Sequence, residues 1–261
     1  MCARLRPSNI DASAGSLEEL ARIVAQIRAR WPHTEIIIRA DSGFCREAIM
    51  AWCEQNGVHF LLGLAKNNRL LAMSLRYRAE AQIAFLACGE ASRVFGELDY
   101  RTRESWSRAR RVIVKAEHLA KGANPRFVVT SLSPARADAR TLYEDLYCAR
   151  GDMENRIKEQ QLDLFADRLS TQTLWANQLR LYFASFAYVL VCALRRLGLR
   201  ETELARAQCG TIRERLFKVA AQIRISVRKI WVSFSEGDPG AALFRQILAN
   251  LQAILLCAGD P

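Results

Sequence analysis

The stretch Glu35-Ile36-Ile37-Ile38-Arg39-Ala40-Asp41-Ser42-Gly43-Phe44 constrains this 261-residue chain more than any other. Three consecutive β-branched residues after Pro32 favour an extended strand buried on both faces, and Ser42-Gly43 is where such a strand turns. Asp41 is thereby expected at the carboxyl end of a central strand. In open α/β sheets that edge collects ligands and metals, so an acid there is a candidate site residue. An Asp at this place serves equally well as the N-cap of the next helix, which the pattern places from Cys45 to Asn56.

Around this stretch the pattern alternates helix and strand. Ser16 and Glu19 have the spacing of a capping box, and Leu17, Leu20, Ile23, Val24 and Ile27 repeat at helical intervals up to about Trp31-Pro32. After the helix closed by Gly57 comes a second apolar strand, Val58 to Leu64, completing a β-α-β unit. Asn67 or Asn68 caps a longer helix that Gly89 ends after Cys88. From Ser92 the period becomes two, and strands are expected there and over Arg111 to Lys115 and Arg126 to Thr130. The expected organisation is an α/β core begun by residues 1–88, a β-rich insertion at 89–133, and the rest of the core with C-terminal helices at 134–261. Arg101, Arg103, Arg108, Arg110, Arg111 and Lys115 make the insertion basic, suited to phosphate contact or simply to a solvated face.

Net charge enters here, because 38 Lys and Arg against 27 Asp and Glu leave +11. Polyanions are the natural partners of such a chain, nucleic acid first. The eight cysteines and three histidines show no Cys-x-x-Cys pair and no clustered ligands, which argues against zinc and for reduced thiols in a cytoplasm. Met1 to Arg6 is basic but no apolar segment of a signal peptide follows. The apolar run Leu181 to Leu194 is too short to span a bilayer, so a buried core helix over Thr173 to Arg196 is expected and no membrane partner. Short helices should follow at Arg200 to Gln208 and Thr211 to Lys218. Alternating Ile223, Ile225, Val227 and Ile230, Val232, Phe234 then suggest a strand pair or one bulged strand, studded with Arg224, Arg228 and Lys229, before a closing helix from Gly240 to Cys257.

Tyr147, Arg150, Glu154, Lys158 and Gln161 follow one another at steps of three, four, four and three. On a helix continuous through Gly151 they form one stripe, with Leu146, Ile157 and Leu162 setting Glu154 near the core. Asp152 points elsewhere, about 200° round the axis. A solvent-exposed row of ion pairs has the same spacing.

Arg39-Ala40-Asp41-Ser42-Gly43-Phe44 together with Tyr147-x2-Arg150-x3-Glu154 resembles the DDE transposases of bacterial insertion sequences, in the subgroup with a Tyr-x2-Arg-x3-Glu-x6-Lys pattern. Gly151, Asn155, Arg156 and Lys158 also match. The resemblance implies a ribonuclease-H-like core, in which three carboxylates hold two Mg²⁺ (or Mn²⁺) ions for in-line phosphoryl transfer. By resemblance Asp41 is the second catalytic, metal-binding acid and Glu154 the third. Tyr147, Arg150 and Lys158 would hold phosphate near the cut, while Arg101, Arg103 and Arg110 grip double-stranded DNA, with Trp106 a candidate for stacking on a distorted base, although its place on the apolar side of its strand favours the core. The implied partners are transposon terminal inverted repeats and target DNA, with a homodimer on them, in a bacterial cytoplasm at the nucleoid.

Two departures qualify the likeness. Gln161 stands at the pattern's final Lys, and no suitable first acid precedes Ser16, Asp11 lying in a loop. The expectation is an N-terminally truncated transposase, inactive alone, with a sheet edge and the apolar faces of Ile36 to Ile38 and Val58 to Leu62 exposed. A non-enzymatic DNA-binding remnant is the alternative, and a metal-dependent nuclease of similar core a third reading.

Overall fold

A computed structural model describes residues 2–235, 237 and 239–257. The chain divides into two compact units, Pro7–Met153 and Met1–Arg6 with Glu154–Pro261. The first contains helix α1 (Ser16–Arg30), strand β1 (Ile37–Ala40), α2 (Glu47–Gln55), β2 (His59–Leu64), α3 (Asn68–Met73), α4 (Leu75–Cys88), β3 (Ser92–Tyr100), β4 (Arg110–Leu119), β5 (Gly122–Ala123), β6 (Arg126–Thr130) and the short helix α5 (Ala139–Thr141). The strands form one sheet in the order β1-β2-β6-β4-β3, with β5 added to the end of β4. β1 and β2 run parallel, Ile37 facing His59 and Ala40 facing Leu62, and the other pairs run antiparallel. This is the expected α/β class, a mixed sheet with helices compatible with a ribonuclease-H-like fold.

Period-two alternation along the strands sends side chains to two covered faces. Phe60, Leu62, Val112, Val114, Phe127 and Val129 pack toward Val24 of α1, Ile49, Met50 and Cys53 of α2, Leu70 of α3 and Ala81 of α4. On the other face Leu61, Ile113 and Val128 meet Leu132, Leu142 and Tyr143. Each such side chain withdrawn from water contributes about 1.5–3 kcal/mol. Tyr77 of α4 lies so close on Gly96 of β3 that a Cβ there would overlap its ring.

Several expectations are corrected. β1 is an edge strand, because among the described residues its four pair with β2 alone; Asp41 therefore ends an edge strand and not a central one. Val58 to Leu62 are not exposed, since helices on one face and residues 132–147 on the other cover them. The strands of the segment 89–133 join the core sheet, β6 pairing with β2 and β4 alike. No capping box forms at Ser16; left-handed Gly15 (φ 70°) occupies the N-cap, and Ser16 Oγ turns back to Ser13 O at 2.5 Å. Asn67 does cap α3, accepting from Leu70 N at 2.9 Å. The expected single helix breaks at Ser74, whose Oγ bonds the Leu71 carbonyl and helps bend the chain into α4.

The second unit carries most of α6 (Gly151–Lys158), then α7 (Leu174–Leu197), α8 (Cys209–Ile212), β7 (Ala221–Ile225), β8 (Ile230–Phe234) and α9 (Ala241–Cys257). Its core gathers Tyr188 and Val191 of α7 with Leu199, Leu204, Cys209, Ile212, Leu216 and Ile247. Beside it Glu159 is buried, taking Arg195 at 2.9 Å and Cys209 Sγ at 3.0 Å on one oxygen and Arg156 at 3.0 Å on the other. These partners hold its carboxyl below the usual range against the opposing effect of burial, and the Cys209 thiol is pushed up to about 12, chiefly by burial. The expected helix at Arg200 to Gln208 is a run of turns.

Helix α7 is not the buried helix that its composition suggests. Leu174–Leu197 is long and apolar enough, by length and composition, to cross a membrane, with 17% of its most apolar window buried. Trp175, Leu179, Tyr182, Phe183, Phe186 and Leu190 are exposed, while Tyr188 and Val191 reach the core. A single stripe is used for packing, so apolar content alone misjudges the rest of the helix.

Candidate active site

Asp41 follows the last residue of β1 and is exposed. Its Oδ1 accepts from Gly43 N at 2.9 Å and starts a single 3₁₀ turn over Ser42–Phe44. Asp41 therefore stands at the carboxyl end of the parallel pair, and it caps this turn rather than α2, whose N-cap is Arg46.

The Tyr147 motif reaches the same place from the other face of the sheet. After α5, which Asp138 caps through Arg140 N and Thr141 N, the chain continues as a π-helical turn over Leu142–Tyr147 and a 3₁₀ turn over Cys148–Arg150. A π turn frees a carbonyl from the α-helical ladder and is common at functional sites. Arg39, two residues before Asp41, donates from Nη1 to the Leu146 carbonyl at 2.7 Å. At Gly63 of β2 a Cβ would stand 2.6 Å from the Tyr147 hydroxyl and 3.0 Å from Ser42 N. The hydroxyl is thus seated over a glycine directly beside the Asp41 turn. Three residues per turn in the 3₁₀ segment stack Arg150 on Tyr147, its guanidinium carbon 5.6 Å from the ring centroid. Positive charge is held over the tyrosine that contacts the Asp41 strand pair.

The helical run passes through Gly151 without interruption into α6, as the stripe requires, although it is not α throughout. Glu154 and Lys158 are one turn apart in α6 and both exposed. Ile157 and Leu162 are exposed too, so the expectation that they set Glu154 near the core is corrected.

Two of the expected DNA contacts are also corrected. Arg110 is buried, 2% of its side chain exposed, with Glu47 at 2.6 Å and Glu54 at 2.7 Å. Trp106 is buried edge-on to Tyr100, the ring centroids 5.5 Å apart, with the Arg110 guanidinium over its ring. Neither is presented to a ligand. Alternation puts Trp106 on the apolar side, and its burial agrees with the core alternative; Arg110 groups in sequence with the solvent-side cations, but the acids on α2 that bind it are more than fifty positions distant in sequence. Arg110 holds the Glu47 carboxyl down at about 2. Arg101 and Arg103 remain exposed, with Arg101 Nε donating to the Trp106 carbonyl.

Asp11 is no spare ligand. One of its oxygens takes Ser13 N and Oγ, the other Arg46 at 2.8 Å. Those bonds, the Ser13 hydroxyl first, hold its carboxyl well below the usual range. Two residues to which the sequence pattern assigns no role belong to the site, Arg39 and Gly63. A lone glycine inside the apolar run Phe60-Leu61-Leu62-Gly63-Leu64 is the signal for Gly63, since a strand glycine often marks a close approach.

A mixed sheet whose parallel pair ends on a carboxylate, with a tyrosine–arginine pair beside that end, is compatible with the ribonuclease-H-like fold of the DDE transposases. The chain belongs to the family described as transposase DDE domain group 1, which it matches over residues 1–255. No curated protein matches the chain. The family generally uses divalent metal ions. Asp41 and Glu154 are hard oxygen donors of the right chemistry, but among the described residues no three Asp, Glu, His or Cys side chains gather into a group able to hold a metal.

Proposed function

We propose that the chain serves the cutting and joining of transposon ends as a DDE transposase of the bacterial insertion-sequence type, and that it is inactive alone. Asp41 and Glu154 are two of its acids, and Tyr147, Arg150 and Lys158 contact phosphate near the cut. The observation that carries this reading is the clasp between the two motifs: Arg39 bonds Leu146 and Gly63 seats Tyr147, so segments about a hundred positions apart meet at Asp41. The substrate in this reading is double-stranded DNA bearing terminal inverted repeats, engaged by a homodimer in the bacterial cytoplasm. Exposed Arg101 and Arg103 add sequence-independent affinity for its backbone.

The chain's own residues bind and orient. Tyr147 and Arg150 hold a phosphate against the Asp41 turn, and Lys158 adds charge one turn beyond Glu154. Inactivity is part of this reading because two of the three carboxylates that the resemblance implies for two-ion chemistry, with Mg²⁺ or Mn²⁺, have a counterpart in the motifs, Asp41 and Glu154.

The test is strand nicking and joining by the purified chain on inverted-repeat DNA with Mg²⁺ or Mn²⁺. No product is expected. Metal-dependent cleavage abolished by Glu154→Gln would refute inactivity and keep the acids. A second reading, a DNA-binding remnant without catalysis, is favoured by the same missing carboxylate group. Mn²⁺ titration separates the two: stoichiometric binding lost in both Asp41→Asn and Glu154→Gln supports the transposase site, and no binding supports the remnant.

A further inference from the structure

Strands β7 and β8 form a two-stranded sheet of their own, Ile223 facing Val232, Arg224 facing Trp231 and Ile225 facing Ile230. The turn between them is closed by Ser226 N on the Lys229 carbonyl at 2.8 Å and Lys229 N on Ser226 Oγ at 3.1 Å. That leaves Val227 and Arg228 at the tip, both exposed. Pleating gives the hairpin two unlike faces. Ile223, Ile225, Ile230, Val232 and Phe234 lie on one, anchored at its base by Phe234 against Phe244 of α9, ring centroids 4.6 Å apart. Gln222, Arg224, Lys229, Trp231 and Ser233 lie on the other. Lys229 Nζ sits 5.5 Å from the Trp231 ring centroid, and Arg224 is directly across the ladder from it.

No acid occurs between Ala221 and Phe234. Among the described residues Arg224, Arg228 and Lys229 have no acidic partner, although acids neutralise many of the chain's other surface arginines. Three unneutralised cations, an exposed indole between two of them and an apolar residue at the tip suit one kind of partner. A two-stranded ribbon fits a groove of duplex DNA, cations on its edges meet phosphates, and apolar tips wedge against base steps.

We propose that the β7–β8 hairpin is a DNA-binding ribbon, with Arg224, Arg228 and Lys229 on phosphates and Trp231 against the sugar–base edge. This rests on the reading of the chain as a DNA-acting transposase, and adds to it a second DNA-binding surface built from elements that carry none of the motif residues.

The experiment measures binding of the full chain to a fluorescent 30-base-pair duplex by anisotropy over a series of salt concentrations. The variant Arg224→Ala/Arg228→Ala/Lys229→Ala is compared with the unaltered chain and with Trp231→Ala. Each phosphate that a removed cation no longer neutralises should lower the slope of log affinity on log salt by about 0.9, so the triple variant's slope should fall by about 2 to 3. Trp231→Ala should weaken affinity about tenfold and leave the slope unchanged. All four residues are exposed, so the fold should survive, and circular dichroism of the variants should match that of the unaltered chain. An unchanged slope in the triple variant overturns the ribbon while leaving the transposase reading intact. Failure of the unaltered chain to bind duplex at all overturns both.

Discussion

The Tyr147 hydroxyl lies 2.6 Å from where a side chain on Gly63 would begin, so the tyrosine of one motif is seated by the absence of a side chain beside the other. Gly63→Ala should therefore destabilise the protein by about 1–3 kcal/mol through overpacking. Tyr147→Phe removes the colliding oxygen, so Gly63→Ala should cost markedly less on that background. Denaturant unfolding of the two single variants and the double variant measures the coupling. Simple additivity would show that the hydroxyl is not the obstacle.

Arg39 and Leu146 form the other half of the clasp. Arg39→Met should remove one charge-assisted bond and cost about 1.5–3 kcal/mol or less, since Arg39 is exposed. Its larger effect should be on order: hydrogen exchange over residues 142–150 should quicken while β4 and β6 stay protected. Unchanged exchange in that segment would assign Arg39 no part in holding Tyr147.

The sequence neighbourhood of Arg110 points to a DNA face, whereas Glu47 and Glu54 draw the side chain into the interior. Arg110→Met leaves two acids beside a buried apolar group and should destabilise by about 3–5 kcal/mol. It should leave the salt dependence of DNA binding unaltered, whereas Arg101→Glu with Arg103→Glu should flatten it without loss of stability. Equal slopes in all three chains would remove Arg101 and Arg103 from the binding surface.

Acid should unfold the protein within a definite window. Glu47 and Glu117 have folded values of about 2 against an ordinary 4.5. Arg110 lowers the first, and Lys115 and Arg93 lower the second against an opposing effect of burial. A depressed carboxyl contributes stability that is fully present above its unfolded value and lost as pH falls through its folded value. The unfolding temperature should thus hold steady above about pH 5 and fall between about pH 4.5 and 2. The Glu47→Gln/Glu117→Gln variant should begin lower and fall less steeply.

Much of this is legible in the sequence, for physical reasons that differ by element. The β-branched run of β1, the Asn67 cap and the glycines closing α2 and α4 act over a few residues, and each forms where local chemistry places it. Ser16 fails as a cap because Gly15 takes the left-handed conformation ahead of it. Pairing across distance is not legible in this way: neither the bridging of β2 and β4 by β6 into one sheet, nor the pull of Glu47 and Glu54 on Arg110, leaves a local signal. At the site, Asp41 and the Tyr147 motif are readable as types and spacings. The clasp that joins them is not, because it depends on a bond from Arg39 to a carbonyl of the π-helical turn and on the space left by a missing methyl group.

The position of β1 at the sheet edge has a mechanical consequence. Its amides are satisfied by β2 on one side only, so in exchange with deuterated solvent the strand should divide into protected and unprotected residues in alternation. Asp41 therefore hangs from a ribbon fastened along a single seam, with Arg39 and the packed Tyr147 as its outrigger. The stiffness of the candidate site is set less by the sheet than by that lateral strut, and loosening the strut should let the carboxylate swing while the rest of the sheet stays rigid.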